Sequence, residues 1–147
     1  RRCNNHPFMF RTNNELYINR ASNIAQEFDL NLWIKGNGYE YRRINDLPKV
    51  FMIIPVDFPA KPKVSNPYNA LEYSTKQLKH WDMAPDNLSK LAESGFEFAL
   101  TTNGLKRKKD LKKNISKAVQ RGLSKSDALA SLTTIPAKAF GESKRLG

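Results

Sequence analysis

A chain of 147 residues with 39% apolar content is long enough to bury one core and too apolar to be a disordered tail. Its formal net charge of +11 admits nucleic acid, an anionic surface or an acidic neighbouring domain as partner and does not choose among them. No apolar run approaches the roughly 18 residues of a membrane-crossing helix, and no signal-peptide pattern opens the chain.

Cys3 is the single cysteine, so no intrachain disulfide can form, and one thiol near an end says nothing about compartment. The chain opens RRCNN without methionine and stops at KRLG, which gives the expectation of a segment cut from a longer protein. Residues 1–14 are polar and weakly patterned, and are expected to form a poorly structured tail before a domain over 15–147.

Four short apolar stretches follow: ELYIN (15–19), LNLWIK (30–35), VFMIIP (50–55) and FEFALTT (96–102). Their length and their β-branched and aromatic content predict strands buried on both faces, hence a parallel sheet. Helical patterns lie between them. RASNIAQEFDL puts Ile24, Ala25 and Phe28 on one face, and YEYRRINDLP stops at Pro48. NALEYSTKQLKHW opens with the capping-box spacing of Asn69 and Glu72, and DNLSKLAESG ends at Gly95. Alternation of this kind predicts an α/β fold of βαβ units, either doubly wound or a barrel.

VDFPAKPKVSNPY interrupts the pattern after the third strand, where Pro59, Pro62 and Pro67 oppose regular structure. Beyond the fourth strand, DLKKNISKAVQRG carries Leu111, Ile115, Ala118 and Val119 at helical spacing and ends at Gly122. A second helix is capped by Ser124 and Asp127, and a short third one runs from Pro136 to Gly141.

Chemistry-bearing clusters are sparse. A catalytic zinc typically needs three protein ligands, and His6 and His80 are the two histidines, in unrelated contexts. Gly36, Asn37 and Gly38 form a small-residue turn between strand and helix, but Tyr41 stands where the third glycine of a dinucleotide fingerprint belongs, so a plain tight turn is the better reading. Asp57, just past the third strand, is the one carboxylate at a strand's carboxyl end, and it equally suits a turn before Pro59. The run KRKKDLKK has no aromatics interleaved, so it reads as a solvated helix face rather than a nucleic-acid surface. A nucleophile elbow is lacking.

The closing stretch GLSKSDALASLTTIPAKAFGESKRLG (122–147) resembles the final helices of metal-dependent amidohydrolases, in particular the imidazolonepropionase-like branch, with Ile135 where that family has a capping asparagine. SGFEFALTTNG resembles the family's strand eight, and SNIAQEFDLNLWIKGNGYEYRRI its strand five to six region. The resemblance implies a partial, half (β/α)8 barrel in which the four stretches are strands five to eight. It also implies metal ligands: an HxH pair after strand one, which lies outside this chain, histidines near Asn19 and near Gly36 or Asn37, and an aspartate at Asn103. None of the three positions within the chain keeps its ligand, and an asparagine is a poor base and a weak ligand compared with the aspartate it replaces.

On this resemblance the chain is expected to be a non-catalytic, structural part of a larger hydrolase polypeptide that also carries an intact domain, with no cofactor of its own. The alternative is an altered but active enzyme cleaving C–N bonds of cyclic amides or dipeptides, using Asn19, Asn37, Asp57 or Asn103 around zinc or another divalent metal held by residues outside the chain. A third reading, a nucleic-acid-binding module, rests on Lys108, Lys109 and Lys112. Four strands cannot close a barrel, so the expected partner is the remainder of the polypeptide, or a second copy of the isolated segment, unless the proline-rich loop and the tail cover the open edges.

Overall fold

The computed structural model describes residues 6–63, 66, 68 and 71–146. Four strands, β1 (Phe8–Arg11), β2 (Leu32–Lys35), β3 (Phe51–Pro55) and β4 (Phe98–Thr101), form one sheet in the order β1-β2-β3-β4. All three pairings are parallel. The order follows the chain without reversal, as in a sector of a barrel, whereas a doubly wound sheet reverses at a switch point.

The first strand is not where the sequence pattern puts it. Residues 16–19 of ELYIN open helix α1 (Leu16–Glu27), and the strand comes from FMFR within the stretch expected to be an unstructured tail. A five-residue apolar run cannot distinguish helix from strand by periodicity. The helix wins because Ile18, Ala21, Ser22 and Ala25, at helical spacing, form its buried face. Of the face expected from the sequence, Ala25 alone is buried, while Ile24 and Phe28 are exposed. Asp29, at φ 50°, turns the chain out of the helix toward β2.

Helix was also expected over YEYRRINDLP. Two short 3-10 turns, Glu40–Arg42 and Ile44–Asp46, take its place. The loop after β3 has no regular structure at Pro59 and Pro62, as its prolines require, while Pro67 and Asn69 lie outside the described residues. Helix α2 (Thr75–Met83) starts on a full capping box made by Ser74 and Gln77. Helix α3 (Asn87–Glu93) follows a 3-10 turn and leads to Gly95 at φ 73°.

After β4 come α4 (Asp110–Gln120), α5 (Lys125–Ala130) and α6 (Thr134–Ala139), each close to its expected place. Ser124 caps α5 by accepting from the Asp127 amide at 3.0 Å.

Alternation along the strands gives the sheet two faces. Ile34, Met52 and Phe98 stand in register on one of them and, with Ile54, pack against Leu88 and Leu91 of α3 and Ala118 of α4. On the other, Trp33 pairs with Phe51, their ring centroids 4.7 Å apart, and Phe140 meets Trp33 edge-on at 5.2 Å. The C-terminal helices flank the β4 edge, where Leu100 donates its amide to the Ser131 carbonyl at 3.1 Å. The core thus lies between sheet and helices, and the carboxyl ends of all four strands emerge together on one side.

Candidate functional site

Parallel pairing brings four chain segments to the same rim. Thr12 follows β1 and is held by its amide, which donates to the Lys35 carbonyl at 3.0 Å, with Asn13 next to it. Gly36 and Asn37 follow β2, Asp57 lies just past β3, and Asn103 and Gly104 follow β4. Together with Arg11, Tyr39 and Pro55, these residues line a cleft of about 270 Å3.

The structure gathers Gly36, Asn37, Asp57 and Asn103 along this cleft. Asn19 is excluded: it lies within α1, because the stretch containing it is helix rather than strand. Its place at the rim is taken by Thr12 and Asn13, which no sequence signal marked, since the exposed four-residue β1 shows no burial pattern.

Gly104 has φ 89°, and a Cβ there would lie 2.8 Å from Asp57 Oδ2. The loops after β3 and β4 are therefore in contact, and only glycine combines that backbone with that approach. Below Asp57, the Asn114 side-chain amide donates to the Val56 carbonyl at 2.6 Å, tying α4 to the end of β3.

The small-residue turn Gly36-Asn37-Gly38 does hold an anion, but the anion is the chain's own. Glu40 is fully buried; its Oε1 accepts from the Asn37 amide at 2.7 Å and from the Gly38 amide at 3.2 Å. Its Oε2 accepts from the Asn87 side-chain amide at 2.8 Å, and Asn87 Oδ1 in turn accepts from the Tyr41 amide at 2.7 Å. Backbone amides that would otherwise cradle a phosphate are spent on Glu40, in agreement with a structural turn. Glu40 was not singled out in the sequence, where its one signal is a carboxylate placed two residues beyond Gly38.

His80 is away from the rim cleft. It stacks on Tyr39 with centroids 3.7 Å apart and planes at 15°, and its Nδ1 lies 3.2 Å from the Tyr41 hydroxyl. Desolvation by burial, reinforced by the Arg42 charge, pushes its pKa down from 6.5 to about 4, so the imidazole is neutral at pH 7. His6 is an exposed residue just before β1. Cys3 lies outside the described residues.

A metal centre of the amidohydrolase kind fits these residues poorly. The rim offers amides, a threonine hydroxyl and one carboxylate, and among the described residues no three of His, Cys, Asp and Glu come together. The lysines of α4, Lys112 and Lys113, are exposed on the side opposite Leu111, Ile115 and Ala118. No described helix is long and apolar enough to cross a membrane.

No family model matches the chain, and no curated protein matches it. Among solved structures, the crystal structure of an amidohydrolase from Thermotoga maritima is similar, with a TM-score of 0.68 and 24% sequence identity over 96% of this chain and 34% of that one. The chain spans about a third of the length of that protein. It thus has the fold of part of an amidohydrolase, an α/β barrel sector of four parallel strands with helices closing its C-terminal end.

Proposed function

We propose that the chain is a sector of an amidohydrolase-like barrel, of the imidazolonepropionase-like branch, whose metal chemistry has been lost and whose role is structural within a longer polypeptide. The observation that carries this reading is the convergence of the strand ends, which bring Thr12, Gly36, Asn37, Asp57 and Asn103 to one cleft with a single carboxylate among them. A hydrolytic metal site needs charged or imidazole ligands and a base for the attacking water. Neutral amides supply neither. The open β1 edge and the exposed apolar residues of α1 support the remainder of the polypeptide as the partner, since both are surfaces that a complete barrel covers.

The full-length polypeptide should be assayed for hydrolysis of dipeptides and cyclic amides, with and without Asp57→Asn. The proposal expects the substitution to leave any turnover unchanged, because an activity in the longer chain would belong to another domain. Turnover abolished by Asp57→Asn, with the fold intact by circular dichroism, would favour an active enzyme with an altered site.

A further inference from the structure

Beside the rim cleft lies a larger, solvent-open one of about 750 Å3, lined by the loop after β3, helix α2, the loop after β4 and the start of α4. Its size suits one small molecule. Four aromatic side chains, Tyr39, Phe58, Tyr73 and Trp81, line it together with the His80 imidazole, Lys106 and Lys113. In the sequence the basic run stands without aromatics; folding supplies them from residues 39 to 81.

The lining is organised for a ring and a negative group. Tyr39 packs on two neighbours, the Arg42 guanidinium 4.2 Å from its centroid and the His80 ring at 3.7 Å. Lys117 Nζ lies 5.8 Å from the Phe58 centroid and 6.0 Å from that of Trp81, which places another positive charge beside two of the rings. Arg107 is committed to Asp110 through two hydrogen bonds of 3.0 Å, so that pair is internally neutral. Lys106 and Lys113 form no salt bridge among the described residues. Asp57, the remaining carboxylate of the lining, sits at the border with the rim cleft.

We propose that this cleft binds a small planar aromatic anion, a ring bearing a carboxylate or a phosphate, with the ring among the four aromatic side chains and the anionic group at Lys106 and Lys113. The site uses none of the positions where the barrel's metal ligands would stand, so it holds whether or not the metal chemistry is lost.

Isothermal titration of the chain with benzoate and with phenyl phosphate separates the two sources of the anionic group, with benzyl alcohol and inorganic phosphate as half-ligand controls. Saturable one-site binding of at least one aromatic anion is expected, weakened about tenfold or more in the Lys106→Ala/Lys113→Ala variant and in both controls. Quenching of tryptophan fluorescence on binding should vanish in Trp81→Phe, since Trp33 is buried beneath Phe51 and Phe140. The proposal is overturned if neither aromatic anion binds, if the double lysine variant binds them equally well, or if binding is confined to oligonucleotides and strengthens with their length.

Discussion

Gly36 is packed so tightly against Glu40 that a Cβ at position 36 would collide with the Glu40 carboxylate while lying 2.8 Å from Ile54 Cδ1. The rim position at the end of β2, where the resemblance implies a histidine nearby, is therefore closed to any side chain as long as Glu40 and Ile54 keep their places. Gly36→Ala should lower stability by about 1–3 kcal/mol through overpacking. In a Glu40→Ala background the same change should cost less, and urea denaturation of the four-member cycle measures the coupling. Equal costs in both backgrounds would show that the contact is not the cause.

Glu40 is also the acceptor on which the turn depends. In Glu40→Gln one side-chain oxygen remains for the Asn37 and Gly38 amides, but an NH2 group then faces the Asn87 amide. Asn87 cannot flip to compensate without losing the bond its Oδ1 accepts from Tyr41. Both side chains are buried, so a loss of about 1–3 kcal/mol is expected in denaturant unfolding.

His80 makes the fold sensitive to mild acid. Its folded pKa of about 4 is below the ordinary 6.5, so as pH falls below 6.5 the unfolded chain takes up this proton before the folded chain does. Stability should therefore fall between pH 6.5 and about 4, with no further loss from this group at lower pH. The His80→Gln variant should lose less of its thermal midpoint than the parent between pH 7 and pH 4.5. Proton NMR of the His80 ring should follow the titration directly, and Arg42→Met should raise its midpoint by removing the lesser of the two causes.

Self-association of the isolated chain is expected from its open edge. Phe8, Met9 and Phe10 of β1 are 48%, 56% and 43% exposed, and Leu16, Tyr17, Ile24 and Phe28 extend the apolar surface over α1. An unpaired edge of this kind recruits another strand, and a charge on it opposes pairing. Light scattering should show mass rising with concentration, and Met9→Lys should lower it. A monodisperse monomer at all concentrations would count against this.

How much of this was legible before folding follows from the residues themselves. β2, β3 and β4 announced themselves through compact apolar runs, and the helices after β4 through the capping Ser124 and the terminal Gly122 and Gly141. β1 stayed hidden because an edge strand with four exposed residues carries no burial pattern. ELYIN misled because, beyond Ile18, the helix it opens is buried through two alanines and a serine, which carry little hydrophobic signal. At the rim, the strands that were recognised delivered Gly36, Asn37, Asp57 and Asn103, and the strand that was missed concealed Thr12 and Asn13. The Glu40–Asn87 bond joins residues 47 apart in sequence, and the aromatic cleft joins the basic run to rings from other elements; neither has a local signature.

A barrel sector of the proposed, non-catalytic kind should hold no catalytic metal at its rim. Zinc per polypeptide, measured by mass spectrometry on the full-length protein and on its Asp57→Asn variant, tests it most directly, because Asp57 is the rim's one carboxylate. Equal zinc in the two proteins is the predicted result. Loss of one equivalent in the Asp57→Asn protein, with the fold unchanged, would contradict it.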